Sequence, residues 1–186
     1  MVFSDDTRGS LAWGADLINT LPGMASDPTD RLVTTEELRD FLTAHPYSGA
    51  VRLDAAERDA VRAIRPRLRA FWTVDRDGAA ELVNEMLAEA RAVPQLVRHD
   101  QYDWHIHATP GDAPLATRML VETAMAIVDV IRADEYDRLR VCEADDCEAV
   151  YVDYSRNRSK RYCDTGNCGN RMNVNAYRRR RAEGTA

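Results

Sequence analysis

The chain has no apolar run approaching the ~18 residues that a membrane helix requires, so no membrane partner is expected. Its first residues, MVFSDDTRGS, are acidic and polar. They lack both the apolar stretch of a secretory signal and the basic, acid-poor character of a transit peptide. The expected compartment is the cytosol, with nucleoid association if the chain binds DNA. Catalytic motifs are absent too. There is no glycine-rich phosphate loop, no Gly-x-Ser-x-Gly elbow and no His-Glu-x-x-His, and no enzyme is expected. Lysine is nearly missing, Lys160 being the only one, so the positive charge is almost all guanidinium. No internal repeat or low-complexity linker divides the chain. Cysteine is scarce, with four in 186 residues. Disulfides are rare in a reducing cytosol, so clustered cysteines there point to metal or redox chemistry.

What is present builds a folded body. The hydrophobic content of 45% supports a core, and 30% charged residues keep the surface wet. The net charge of −6 hides a split. Residues 151–186 hold nine basic and three acidic side chains, a balance of +6, whereas the other 150 carry −12. A basic end implies a polyanionic partner, and an acidic body implies a separate task.

The body reads as helical. Thr34 followed by Glu37 forms a capping box ahead of Leu38, Phe41 and Leu42. Asp54 with Glu57 opens a second helix, whose stripe is Val61, Ile64, Leu68 and Phe71. Pro66 lies inside that stripe and predicts a kink or a break near Arg65. Asp77 is placed to cap a third helix with Leu82, Val83, Met86, Leu87 and Ala90 inward. A fourth begins near Pro114 and carries Leu115, Leu120, Ala124, Ile127, Val128 and Ile131, the wide apolar face of a central helix. Between the last two, alternation in Trp104-His105-Ile106-His107 predicts a strand, with the polar residues before it turning a hairpin. His105 and His107 share one strand face. Two imidazoles without a visible third ligand fit solvated or hydrogen-bonded histidines better than a metal site.

The cysteines Cys142, Cys147, Cys163 and Cys168 follow a C-x4-C-x15-C-x4-C pattern. Two thiolate pairs on tight turns supply the four soft ligands of tetrahedral zinc, and a closed four-sulfur site is structural rather than catalytic. One Zn²⁺ per chain is expected. The fifteen intervening residues can form a hairpin, with "AVYVDYS" as one strand: Val150 and Val152 on one face, Tyr151 and Asp153 on the other. No break separates 112–140 from the cysteines, so the module should pack against the body. Four buried thiols and a redox switch are the other readings of the same residues.

Residues 139–181, "LRVCEADDCEAVYVDYSRNRSKRYCDTGNCGNRMNVNAYRRRR", resemble the CGNR zinc-finger family. The resemblance rests on both cysteine pairs, Tyr151-x-Asp153, Ser155-Arg156-Asn157, Arg161-Tyr162 and the literal Cys168-Gly169-Asn170-Arg171. Upstream, "DLINTL" at Asp16 to Leu21 resembles the opening of the family's usual helical partner domain, ABATE. The resemblance implies a bacterial, stress-induced transcription regulator whose zinc module contacts DNA. One departure is Asn173, where a basic residue commonly follows the CGNR arginine. The implied fold is mainly α. A helical domain with a short β-hairpin spans 1–138, and a small zinc-bound ββα-like (treble-clef-like) module spans 139–186.

Within that module Gly169 is expected to allow a tight or positive-φ turn at the metal, and Asn170 to cap the following helix. The helix would carry Arg171, Arg178, Arg179, Arg180 and Arg181. Arg156, Arg158, Lys160 and Arg161 would extend the basic surface from the hairpin side. A structural role also fits Arg171 and Asp153, which would brace the zinc turns by pairing with each other or with carbonyls. Three functions follow. The first is a DNA-binding regulator with a ligand-sensing or dimerising body. The second is a zinc-stapled adaptor gripping RNA polymerase or a sigma factor, and the third a thiol redox sensor.

Overall fold

The computed structural model describes residues 3–98, 103–182 and 184. Six helices dominate: α1 (Asp5–Ile18), α2 (Thr35–Ala44), α3 (Ala55–Ala70), α4 (Arg76–Glu89), α5 (Leu115–Arg132) and α6 (Cys168–Ala182). Two antiparallel hairpins accompany them. One pairs β1 (Gln95–Val97) with β2 (His105–His107), the other β3 (Leu139–Val141) with β4 (Val150–Val152). The turn expected between β1 and β2 falls at 99–102, outside the described residues.

The helix starts follow capping chemistry. The Thr34 hydroxyl accepts the Glu37 amide at 3.1 Å while the Glu37 carboxylate accepts the Thr34 amide at 2.8 Å, closing the box. Asp54 accepts the Glu57 amide at 2.8 Å. For α4 the cap is Asp75, which accepts the Gly78 amide at 2.9 Å. Asp75 keeps the extended backbone a cap requires, whereas the expected cap, Asp77, already lies in the first helical turn. Helix α3 does not break at Pro66. Proline removes the amide that would reach the Arg62 carbonyl, and Arg65 Nε donates to that carbonyl instead at 3.3 Å.

Helix α5 is the central element, packing against α1, α3 and α4. Leu11, Ile18, Leu68, Phe71, Met119 and Ile127 are fully buried around it. Helix α1 approaches so closely that a Cβ on Gly14 would stand 2.8 Å from Thr123 Cγ2. Three arginines are buried with their donors answered, Arg138 by the Glu135 carboxylate and the carbonyls of Asp153 and Ser155. Arg65 makes paired hydrogen bonds to Asp30 at 2.8 and 2.9 Å and another to the Thr20 hydroxyl. Arg118 donates to the carbonyls of Ser48, Ala50 and Ala113, fixing the loop after α2.

The core does not end where the helices do. Leu139, Val150 and Val152 belong to the same apolar cluster as α1, α3 and α5. Asn19, at the end of α1, exchanges two buried hydrogen bonds with Val150, each 2.9 Å. Trp72 Nε1 donates to the Tyr151 carbonyl at 3.0 Å. The cysteine module is therefore seated on the body, as the unbroken sequence between them implies.

Candidate metal centre and basic helix

The alternation of β4 sorts its side chains between two cores. Val150 and Val152 face the helical body, while Tyr151 turns to the cysteines. The hairpin is not formed by the fifteen residues between the cysteine pairs. It straddles the first pair instead: β3 enters Cys142, β4 leaves just after Cys147, and Cys142 N–H bonds the Ala149 carbonyl at 2.8 Å. The first pair thus sits in the hairpin turn, and residues 154–167 form the loop that carries the chain to the second pair.

All four sulfurs are buried and lie within 4.8 Å of one another. Cys147 and Cys163 are 3.8 Å apart, and Cys163 and Cys168 are 3.6 Å apart. A tetrahedral zinc with ~2.3 Å Zn–S bonds places its ligands about 3.8 Å from each other. The four residues therefore fit that ion. Burial pushes the Cys163 and Cys147 thiols up. Burial also opposes ionisation of Cys168, but hydrogen bonds from Arg171 and the neighbouring cysteines together outweigh it and hold that thiol below its ordinary value.

Arg171 ties the centre together. Its guanidinium pairs with both carboxylate oxygens of Asp146 at 2.5 and 3.0 Å, donates to Cys168 Sγ at 3.1 Å, and reaches Ser26 Oγ at 2.7 Å. Asp146 lies inside the first cysteine loop and Ser26 on the body, so one side chain joins both ligand loops to the scaffold. Asp153 is not its partner. Fully buried, it accepts the Ser155 and Lys160 amides at 2.8 and 2.9 Å and so shapes the loop toward Cys163. Gly169 and Asn170 also depart from expectation. Both lie inside α6 rather than before it, and Gly169 has no positive φ. The left-handed residue is Asn167, at φ 49°, and its side chain accepts from Asn170 Nδ2 at 2.9 Å.

Among the other basic residues the structure draws a division. Arg158 pairs with Glu135 at 2.9 Å, Lys160 with Asp164 at 2.5 Å and Arg161 with Glu143 at 2.6 Å. Arg156, Arg178, Arg179 and Arg181 are exposed and form no ion pair among the described residues. Arg180 is exposed on the same helix.

The CGNR zinc-finger family matches residues 138–181. ABATE, described as a "putative stress-induced transcription regulator", matches residues 11–134. The chain belongs to the ABATE family and carries a CGNR zinc finger. No curated protein matches it. Around the cysteines of this CGNR finger the residues that sequence reasoning missed are Asp146 in the finger and Ser26 and Met24 in the body. Met24 is buried among the cysteines although it comes from the body. The signal for Asp146 was its place in "CEADDC", a carboxylate inside a ligand loop with a lone arginine following the last cysteine. No pattern in the sequence marked Ser26 or Met24, which arrive through the fold. Among the described residues no helix is long and apolar enough to cross a membrane.

Proposed function

We propose that this ABATE–CGNR protein is a non-enzymatic transcription regulator that binds double-stranded DNA through α6, with one structural Zn²⁺ per chain. The observation that carries this reading is that Arg178, Arg179 and Arg181 form no ion pair among the described residues, on a helix whose first residue is one of the four clustered cysteines. The rest of the chain neutralises most of its arginines internally, yet Arg178, Arg179 and Arg181 project without carboxylate partners among the described residues. Charge left unpaired on a rigid support is suited to a phosphate backbone. Helix α6 runs 15 residues, about 22 Å at 1.5 Å per residue, and fits a major groove. Its exposed face carries Asn170, Val174, Tyr177, Arg178 and Arg181, a mixture of base-reading and phosphate-binding side chains. Arg171 is left out of the contact set because it is spent on the metal centre.

The test is a mobility-shift assay on genomic fragments, with and without a zinc chelator. Binding should require zinc, and replacing Arg178 to Arg181 by Gln should weaken binding to every sequence alike. Binding that survives both changes would refute the reading. A second reading rests on Val174 and Tyr177, which are 46% and 53% exposed: α6 would dock on an acidic, partly apolar surface of the transcription machinery. It predicts no DNA shift at low salt and recovery of polymerase or a sigma factor after nuclease treatment.

A further inference from the structure

Helix α6 turns a face to solvent that its charge alone does not explain. At about 100° per residue, Asn170, Asn173, Val174, Tyr177 and Arg181 share one stripe. Cys168 and Met172 lie on the opposite side of the helix, where they pack in the metal centre. All five residues of the stripe are exposed, two of them large and apolar. Arg178 borders the stripe on one side and Arg180 on the other.

Asn173 is the telling residue. Asparagine is a poor helix former whose side chain belongs at caps and turns. Asn170 has such a local task, donating from Nδ2 to Asn167 Oδ1 at 2.9 Å. Asn173 lies past the first turn, inside α6, and its carboxamide makes no hydrogen bond among the described residues. It weakens the helix and braces nothing in the finger. What it does is hold a hydrogen-bond donor and an acceptor side by side in the middle of an exposed stripe, with Val174 and Tyr177 beside it and arginines along the edges.

We propose that this stripe reads an A·T base pair in the DNA major groove, with Asn173 bound to the adenine and Val174 and Tyr177 covering the methyl group of a thymine at a neighbouring pair. The inference rests on the reading of α6 as a DNA-binding helix. In the major groove adenine presents the N7 acceptor beside the N6 donor, which a carboxamide matches with its Nδ2 and Oδ1. Guanine presents two acceptors and suits a guanidinium instead, and cytosine offers a donor alone. Thymine adds a methyl group, the one apolar mark in the groove, and the apolar side chains of the stripe answer it. Arg181 lies two turns beyond Asn173, about 12 Å along the helix, so it does not address the same base pair. Arg178 at the edge of the stripe and Arg156 on the loop before Cys163 are exposed and form no ion pair among the described residues. They are placed for phosphates, which seat the helix without selecting a sequence. That flanking charge favours a polyanion over an apolar protein groove as the occupant of this face.

The experiment is selection of sites from a randomised duplex library by the zinc-loaded full chain, followed by titration of the selected site. The selected duplexes should share an adenine with a thymine at a neighbouring pair. Replacing that adenine by 7-deazaadenine removes the N7 acceptor and should weaken binding about fivefold or more. Replacing the thymine by uracil removes only the methyl group and should also weaken it. Asn173→Ala favours the helix, so it should fold and bind zinc as the parent does. It should lose affinity for the selected site, keep its affinity for a duplex of G·C pairs alone, and ignore the 7-deaza change. Asn173→Arg should move the preference at that position from A·T to G·C. Selection without base preference, a selected site of G·C pairs alone, a full response of Asn173→Ala to 7-deazaadenine, or an equal loss by that variant on every duplex would overturn the inference and leave the DNA-binding reading standing. No binding to any duplex at low salt would overturn both and leave this face to a protein surface.

Discussion

Arg171 shows how much a single side chain determines in the zinc finger. It bonds a ligand sulfur, a carboxylate in the opposite ligand loop and a body hydroxyl. Partners of metal ligands typically set affinity by 10–100-fold. Arg171→Gln is therefore expected to lower zinc affinity by that order in a competition with a chromophoric chelator, while Arg178→Gln leaves zinc affinity unchanged. A second residue-scale prediction concerns Asp30. Hydrogen bonds from Arg65 and Arg62 outweigh its burial and hold its carboxyl well below the usual value. A depressed folded pKa contributes stability above the unfolded value near 4 and loses it as pH falls further. Asp30→Asn should cost about 3 kcal/mol at neutral pH, since it strands a buried arginine. In urea unfolding the gap to the parent should narrow below about pH 4. Zinc loss in acid affects both proteins and cancels in the difference. At this scale the four cysteines were legible because metal chemistry demands a residue type and a spacing. The partner of Arg171 was not, because a carboxylate's role depends on where the loops meet, and Asp153 and Asp146 look alike in sequence.

At the scale of elements, α2, α3 and α5 were readable from caps and apolar spacing. Helix α1 was not, although it packs closely against α5. Its face mixes Leu11, Gly14, Ala15 and Ile18, small residues that give a weak apolar signal but let two helices approach. Gly14→Ala should cost about 1–3 kcal/mol by overpacking, read as a drop in urea midpoint with unchanged slope. An unaltered midpoint would mean that α1 and α5 have room to separate. The break that Pro66 allowed does not occur. The local rule was sound, but the freed Arg62 carbonyl found a donor in the Arg65 side chain, a tertiary remedy no local rule contains. The hairpin was misplaced because β3 is only three residues long and carries too little alternation to be seen. Its partner β4 was correctly sorted into two faces.

Across the whole molecule, the ABATE body and the CGNR finger share one core. Removing zinc should therefore do more than unfold the finger. It should lower the unfolding temperature of the entire chain and raise hydrogen exchange at the end of α1 together with residues 142–171. Exchange confined to the cysteine loops would show that the Asn19–Val150 and Trp72–Tyr151 bonds do not couple the two. Asn19→Ala tests the same seam without touching metal. It leaves the amide and carbonyl of Val150 buried and unpaired, at a cost of about 2–3 kcal/mol. The charge split, plain in the sequence, becomes informative only once the fold shows which arginines are already neutralised. Among the described residues Arg156, Arg178, Arg179 and Arg181 are exposed and form no ion pair, and they fix the expected electrostatics. The most direct test of DNA binding is the affinity of the zinc-loaded chain for a duplex across a salt series. Four to five neutralised phosphates give a log–log slope of about −3.6 to −4.5. A slope in that range, lost on chelation, is the predicted result; a flat salt response, or no binding at low salt, would contradict it.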